Sequence, residues 1–149
     1  MKNLEERLIP LLKEGYCTPR LSSLARKLKE PTTTIQYNIK KLERDGKIRG
    51  YRAALDHAKT GKGFCVFALL ELNPEAYKMP EIVAREMAKN QHVESVDICT
   101  GDWEMVVKLR AKDQNEYYEL VKSLLSTKNV TKIKSLISLK QVKSEFIGL

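Results

Sequence analysis

The chain has 149 residues, 42% of them apolar and 31% charged, with 7 Gly, 5 Pro and a formal net charge of +8. Apolar residues recur along its whole length, which excludes general disorder and describes one ordinary globular domain or two small ones. Its longest apolar run, Phe64 to Leu70, falls far short of the roughly 20 residues a spanning helix needs, so no membrane span is expected.

Asn3-Leu4-Glu5-Glu6 offers an N-cap with an acid three places on. Leu4, Leu8, Leu11 and Leu12 then recur at helical spacing, which predicts a first helix over residues 4–14 ending at Gly15. Pro10 lies inside it, where a proline costs about 3 kcal/mol, so a kink or break is expected there. These first thirty residues mix acids with bases around that proline and fit neither a signal peptide nor a transit peptide, so the chain is expected to begin as mature, cytoplasmic protein.

A second helix is predicted from Ser22 or Ser23, with Leu21, Leu24, Ala25 and Leu28 on one stripe, ending by Glu30 because Pro31 follows. Thr32, Thr33 or Thr34 can cap a third helix whose stripe is Ile35, Ile39 and Leu42 and which ends at Gly46. Two short helices joined by a tight turn, the second with a narrow apolar stripe, make a helix-turn-helix. At about 100° per residue, the face opposite Ile35 collects Thr33, Tyr37, Lys40, Lys41 and Arg44, with Thr34 and Gln36 on its flanks. Threonine and glutamine can meet base edges, and cations at the C-terminal end can meet phosphates, so Thr32, Thr33, Thr34, Gln36, Tyr37, Lys40, Lys41 and Arg44 are the candidate DNA-binding residues. A merely solvated helix face is the bland alternative. Charge weighs against it, because residues 1–60 hold 14 Lys and Arg against 7 Asp and Glu, whereas residues 61–149 hold 13 against 12. Lys47 to Leu55 reads as a strand-like segment with three cations, a wing or a linking strand.

Phe64 to Leu72 is a continuous apolar strand, and Pro74 with Met79-Pro80 marks a loop and the next helix, whose buried side is Ile82, Val83 and Met87. Val93 to Cys99 and Trp103 to Leu109 form a hairpin across Thr100-Gly101-Asp102. Asp113 and Glu116 make a capping box before a helix with Tyr117, Leu120, Val121, Leu124 and Leu125, and a last strand is predicted over residues 130–142. The order βαββαβ is ferredoxin-like. Fold class is therefore α+β, with an N-terminal helix-turn-helix, winged-helix-like domain over residues 1–60 and a C-terminal ferredoxin-like domain over residues 61–149. Helices cover one face of such a sheet, while the strands carry apolar residues on both sides. A bare apolar face implies self-association, at least to a dimer.

Cys17, Cys65 and Cys99 are far apart and odd in number, so neither a disulfide framework nor a zinc site is expected. Small buried hydrophobes are their expected role, with Cys17 the one in a polar stretch. His57 and His92 lack a neighbouring acid, base or nucleophile arrangement, so they read as ordinary surface or core residues and no catalytic group, metal or cofactor is expected.

Taken together, these segments resemble the Lrp/AsnC, or feast/famine, family of bacterial and archaeal transcription factors. The resemblance rests on the helix-turn-helix from Leu21 to Arg44 and on Leu42-Glu43-Arg44-Asp45-Gly46-Lys47-Ile48-Arg49-Gly50-Tyr51, similar to that family's passage from recognition helix to linking strand. It rests also on Thr100-Gly101-Asp102-Trp103-Glu104, similar to the Gly-Asp-aromatic-acid turn of its sensing domain, with Glu104 where aspartate is more usual. Lys29-Glu30-Pro31 stands where many helix-turn-helix turns carry glycine. What the resemblance implies is a homodimer, with tetramers and octamers as further assemblies, that binds double-stranded operator DNA and is modulated by an amino acid held between sensing domains. Gly101, Asp102, Trp103 and Glu104 are the implied effector residues, whereas the residues alone read equally as a hairpin turn chosen for its geometry. Two other functions compete: an architectural protein that coats DNA without a sharp operator, and an enzyme like the tetrapyrrole decarboxylases that share this two-domain plan.

Overall fold

The structure is a computed structural model that describes residues 3–144 and 147–148. The chain divides into two compact units, one through Ala54 and one from Leu55. Among the described residues no helix is long and apolar enough to cross a membrane.

Three helices build the first unit: α1 (Leu4–Glu14), α2 (Leu21–Leu28) and α3 (Thr32–Arg44). The Asn3 carboxamide oxygen accepts the Glu6 N–H at 2.9 Å, the cap expected from the sequence. Of the kink or break expected at Pro10, the break does not occur: α1 runs through it. The proline ring is exposed and removes only one ladder bond, while half-buried Ile9 and Leu12 hold the turns on either side. Leu4, Leu8 and Leu11 remain exposed. Gly15, at φ 107°, closes the helix.

Neither Ser22 nor Ser23 caps α2, which starts at Leu21 after Arg20 with no side-chain cap. None of Thr32, Thr33 and Thr34 caps α3: extended Pro31 is the N-cap, its carbonyl accepting the Ile35 N–H at 3.1 Å, and the threonines are the first three helical residues. Between the two helices Lys29 takes the left-handed conformation at φ 56° that glycine would adopt at less cost, and the Lys29 and Glu30 N–H groups both return to the Ala25 carbonyl. Lys47 to Leu55 forms no strand, since among the described residues no second strand runs beside it to complete a ladder.

In the second unit, β1 (Phe64–Leu72), β2 (Val93–Ile98), β3 (Met105–Ala111) and β4 (Val130–Ile137) form an antiparallel sheet in the order β2-β3-β1-β4. Helices α4 (Pro74–Tyr77), α5 (Pro80–Ala88) and α6 (Gln114–Ser126) complete the βαββαβ pattern. Two-residue strands β5 (Lys143–Ser144) and β6 (Ile147–Gly148) pair with each other. Val66, Ala68 and Leu70 of β1 stand opposite Leu109, Val107 and Met105 of β3, and all six are buried to within 1%. Val83 and Met87 of α5 and Tyr117 of α6 close over this core. Ile82 and Leu125 are exposed rather than buried, because α5 turns Val83, Ala84 and Met87 inward and α6 turns Tyr117, Leu120, Val121 and Leu124. Strand β3 begins two residues later than expected and runs on to Ala111, since β1 offers partners as far as Phe64. Strand β4 stops at Ile137, where pairing with Val66 ends, and does not reach Val142.

The alternate residues of the pleat face away from the core: Cys65, Phe67, Leu69 and Glu71 of β1, Val106, Lys108 and Arg110 of β3, and Lys132, Lys134 and Leu136 of β4. Apolar Phe67, Leu69, Val106 and Leu136 stand on this second face, as the sequence suggests, but Lys108, Arg110, Lys132 and Lys134 share it. Replacing Lys29 by glycine removes the left-handed strain, roughly 1–2 kcal/mol, against a smaller loss of unfolded-chain restriction. Chemical denaturation of Lys29→Gly should therefore show a first unit more stable by about 0.5–1 kcal/mol.

Candidate nucleic-acid interface and effector turn

Ile35 is the buried residue of α3, with Ile39 half-buried, so the opposite side of the helix faces solvent. Thr32, Thr33, Thr34, Gln36, Tyr37, Lys40, Lys41 and Arg44 are all exposed there, Tyr37 at 65%. Among the described residues Lys40 and Lys41 have no carboxylate within ion-pair range, and Arg44 has only Asp45, at 3.9 Å on the surface. The Asn38 amide donates to the Thr34 carbonyl at 2.9 Å and is thereby turned back onto the helix. Neither α2 nor α3 has an acid in its first turn or a side-chain cap, so both helix N-termini keep donors and positive dipole ends suited to anions. By contrast α1, α4 and α6 are each capped by Asn or Asp and carry a glutamate in the first turn.

In the second unit the Cys99 N–H donates to the Glu104 carbonyl at 2.8 Å, and Ile98 stands opposite Met105, so residues 99–104 form the turn. Gly101 is exposed at φ 105°, with nothing within 4 Å of where a Cβ would stand. Backbone conformation rather than close approach therefore requires this glycine. Glu104 points inward: its carboxylate accepts the Leu72 N–H at 3.0 Å, where β1 shifts register against β4. Trp103 is half-buried with the Lys132 ammonium 5.5 Å from its ring centre, and Asp102 is exposed. Lys132 is not among the residues the sequence singles out; it sits 29 positions from Trp103, and the pairing of β1 with both β3 and β4 brings them together.

Sequence reasoning also missed a charged cluster on the bare sheet face. Arg110 is 4% exposed; its Nε donates to the Glu94 carboxylate and its Nη2 to the Gln141 side chain at 2.6 Å. Lys108 stands 3.0 Å from the same carboxylate and His57 Nε2 3.5 Å from it. Burial raises the Glu94 carboxyl, but hydrogen bonds and charges from Lys108 and Arg110 outweigh it and hold the group below its ordinary range. Burial pushes the Cys65 thiol up against the same cations. Both histidines are packed, His92 with Nδ1 at 3.0 Å from the Arg110 carbonyl. The cysteines are free, but only Cys65 is buried, Cys17 and Cys99 being half-exposed, and no cluster of metal-ligating side chains occurs among the described residues.

Residues 65–147 match the Lrp/AsnC ligand binding domain family. An uncharacterized HTH-type transcriptional regulator of Pyrococcus furiosus is 32% identical over 146 residues, 97% of this chain and 95% of that protein. Two solved structures share the fold. An AsnC family transcriptional regulator from Agrobacterium tumefaciens superposes with a TM-score of 0.76 at 22% identity, over 97% of this chain and 94% of that one. A Neisseria meningitidis transcriptional regulator, solved in complex with L-methionine, gives 0.75 at 21% identity over 97% and 93%.

Because the Glu94 pKa is depressed on folding, its stabilisation is present above the ordinary glutamate value of about 4.3 and is lost as pH falls through the lower folded value. Glu94→Gln should destabilise the chain by about 1.5–3 kcal/mol at neutral pH, leaving Arg110 without its carboxylate. In an acid titration followed by denaturant midpoint, the variant should lose less stability than the wild type below about pH 4.3.

Proposed function

The chain belongs to the Lrp/AsnC family, and from that membership we propose that it is a DNA-binding transcriptional regulator whose second unit senses an amino acid and self-associates. The observation that carries the reading is the outer face of α3, where polar and aromatic side chains near the N-terminus give way to exposed cations near the C-terminus. A helix lying in the major groove needs base-reading groups at its start and phosphate-reading cations further on. Thr32, Thr33, Thr34, Gln36 and Tyr37 take the first role, and Lys40, Lys41 and Arg44 the second. Location in the cytoplasm follows from that target.

Self-association is assigned to the bare sheet face around Phe67, Leu69, Val106 and Leu136, giving a homodimer that can build tetramers and octamers. The effector is assigned to the turn of Gly101, Asp102, Trp103 and Glu104. The methionine complex of a protein with the same fold supports an amino acid as its class. Asp102 offers a carboxylate to an ammonium group and Trp103 an apolar surface to a side chain, while Glu104 shapes the turn from within. An amino acid bound between subunits would shift assembly and with it DNA affinity, typically by about 1–3 kcal/mol of coupling.

Selection of genomic fragments bound by the full chain, with and without pooled amino acids, should return a discrete set of operators, and competition with bulk DNA separates this from coating. Lys40→Ala with Arg44→Ala should weaken binding to every sequence and reduce the salt slope by about 1 for each phosphate no longer neutralised, whereas Gln36→Ala should cost about 1–3 kcal/mol on the operator alone. Unchanged affinity in the double variant removes α3 from the role. In calorimetry with each of the twenty amino acids, binding to the wild type should be abolished in Gly101→Trp and weakened in Asp102→Ala. Undiminished binding in both variants puts the sensing site elsewhere.

A further inference from the structure

The segment after α3 has no regular secondary structure, yet it is held at several points. The Lys47 and Ile48 N–H groups both donate to the Leu42 carbonyl, at 2.9 and 3.1 Å. The Tyr51 hydroxyl donates to the Glu43 carboxylate at 2.7 Å, in the last turn of α3. Ala53 N–H reaches the Leu12 carbonyl of α1 at 3.3 Å, and a Cβ on Gly15 would stand 2.9 Å from the Tyr51 carbonyl, so only glycine lets the segment lie this close to the end of α1. These anchors turn Ile48, Tyr51 and Ala53 partly inward and leave Lys47, Arg49 and Arg52 exposed. Among the described residues none of the three has a carboxylate within ion-pair range, whereas Lys59, Lys78, Lys89, Lys108 and Lys122 of the second unit are each paired.

We propose that Lys47, Arg49 and Arg52 form a second phosphate-contacting strip, which grips the sugar-phosphate backbone of the duplex that α3 reads, and that Tyr51 is the positioning residue that holds it there. This rests on the DNA-binding reading of α3. Three exposed, unneutralised cations on a segment tied to the C-terminal turn of that helix continue the charge of Lys40, Lys41 and Arg44 beyond the groove. Such contacts are blind to sequence: they add affinity and fix register rather than choose bases. The main chain of the strip is anchored through backbone carbonyls and one tyrosine, so the backbone that carries its cations is ordered before DNA binds.

The test is binding of the full chain to a mixed-sequence DNA duplex across a salt series. Neutralising the strip with Lys47→Gln, Arg49→Gln and Arg52→Gln should make the slope of log affinity against log salt shallower by about 2–3, close to 0.9 per phosphate. Removing the same charge from the second unit, with Lys78→Gln, Lys89→Gln and Lys122→Gln, should leave the slope nearly unchanged. A strip variant that matches the wild type or this control overturns the proposal while the α3 reading stands. A wild type with no affinity for the duplex sinks both. Tyr51→Phe keeps every charge and should lower affinity severalfold, with faster amide hydrogen exchange at Lys47 and Ile48 but an unchanged denaturation midpoint. Unchanged affinity and exchange in that variant would show that Tyr51 positions nothing.

Discussion

The pairing of β1 with β3 at the centre of the sheet is the constraint on which the second unit depends. Once Val66, Ala68 and Leu70 stand opposite Leu109, Val107 and Met105, the pleat assigns every other residue to a face. A slip of one residue would drive Arg110 and Lys108 into the hydrocarbon core and expose the apolar set. The same register carries Cys65, Phe67 and Leu69 to the open face and sets Cys65 opposite Arg110. The pairing of β2 with β3, Ile98 opposite Met105, in turn sets where the turn of Gly101, Asp102 and Trp103 closes.

The open face is held by charge where the core face is held by burial. Arg110 is almost fully enclosed, which is tolerable only because Glu94 and Gln141 satisfy its guanidinium. Glu94 in turn gathers Lys108 and His57, so β2, β3 and the chain entering β1 meet at one carboxylate, while Gln141 from the chain leaving β4 joins through Arg110. An interface on this face would have an apolar patch bounded by a fixed charge cluster, which favours one docking register over others.

The first unit has a different economy. Its buried residues among those described are Ala25 and Ile35, too few for a large core, so its order leans on helix ends and backbone contacts. Asn3 caps α1, Lys29 accepts a strained turn, and Gly15 admits the Tyr51 carbonyl. The exposed cations of this small unit, few of which meet a carboxylate among the described residues, are the groups a polyanion would need. In the second unit Lys78, Lys89 and Lys122 each lie beside a glutamate three residues away, where the two charges offset each other.

Local chemistry was legible in the residues themselves. Asn3, Asp113, Pro74 and Pro80 mark helix starts, the apolar spacings mark α1, α2 and α3, and the run from Phe64 to Leu72 marks β1, because each signal acts within a few residues of its cause. The outward set on α3 was legible for the same reason, since one buried stripe defines its opposite. Competing local options were not separable by the residues alone: Ser22 and Ser23 or Thr32 to Thr34 could all cap in isolation, yet the helices start earlier, after Arg20 and Pro31. The missing strand at Lys47 to Leu55, the ends of β3 and β4, the outward Ile82 and Leu125, and the meeting of Glu94 with Arg110 and Gln141 all depend on partners distant in the chain. Only the tertiary structure decided these, because a strand ends where its neighbour stops supplying hydrogen bonds, and a buried charge is stable only where the fold brings its counterpart within reach.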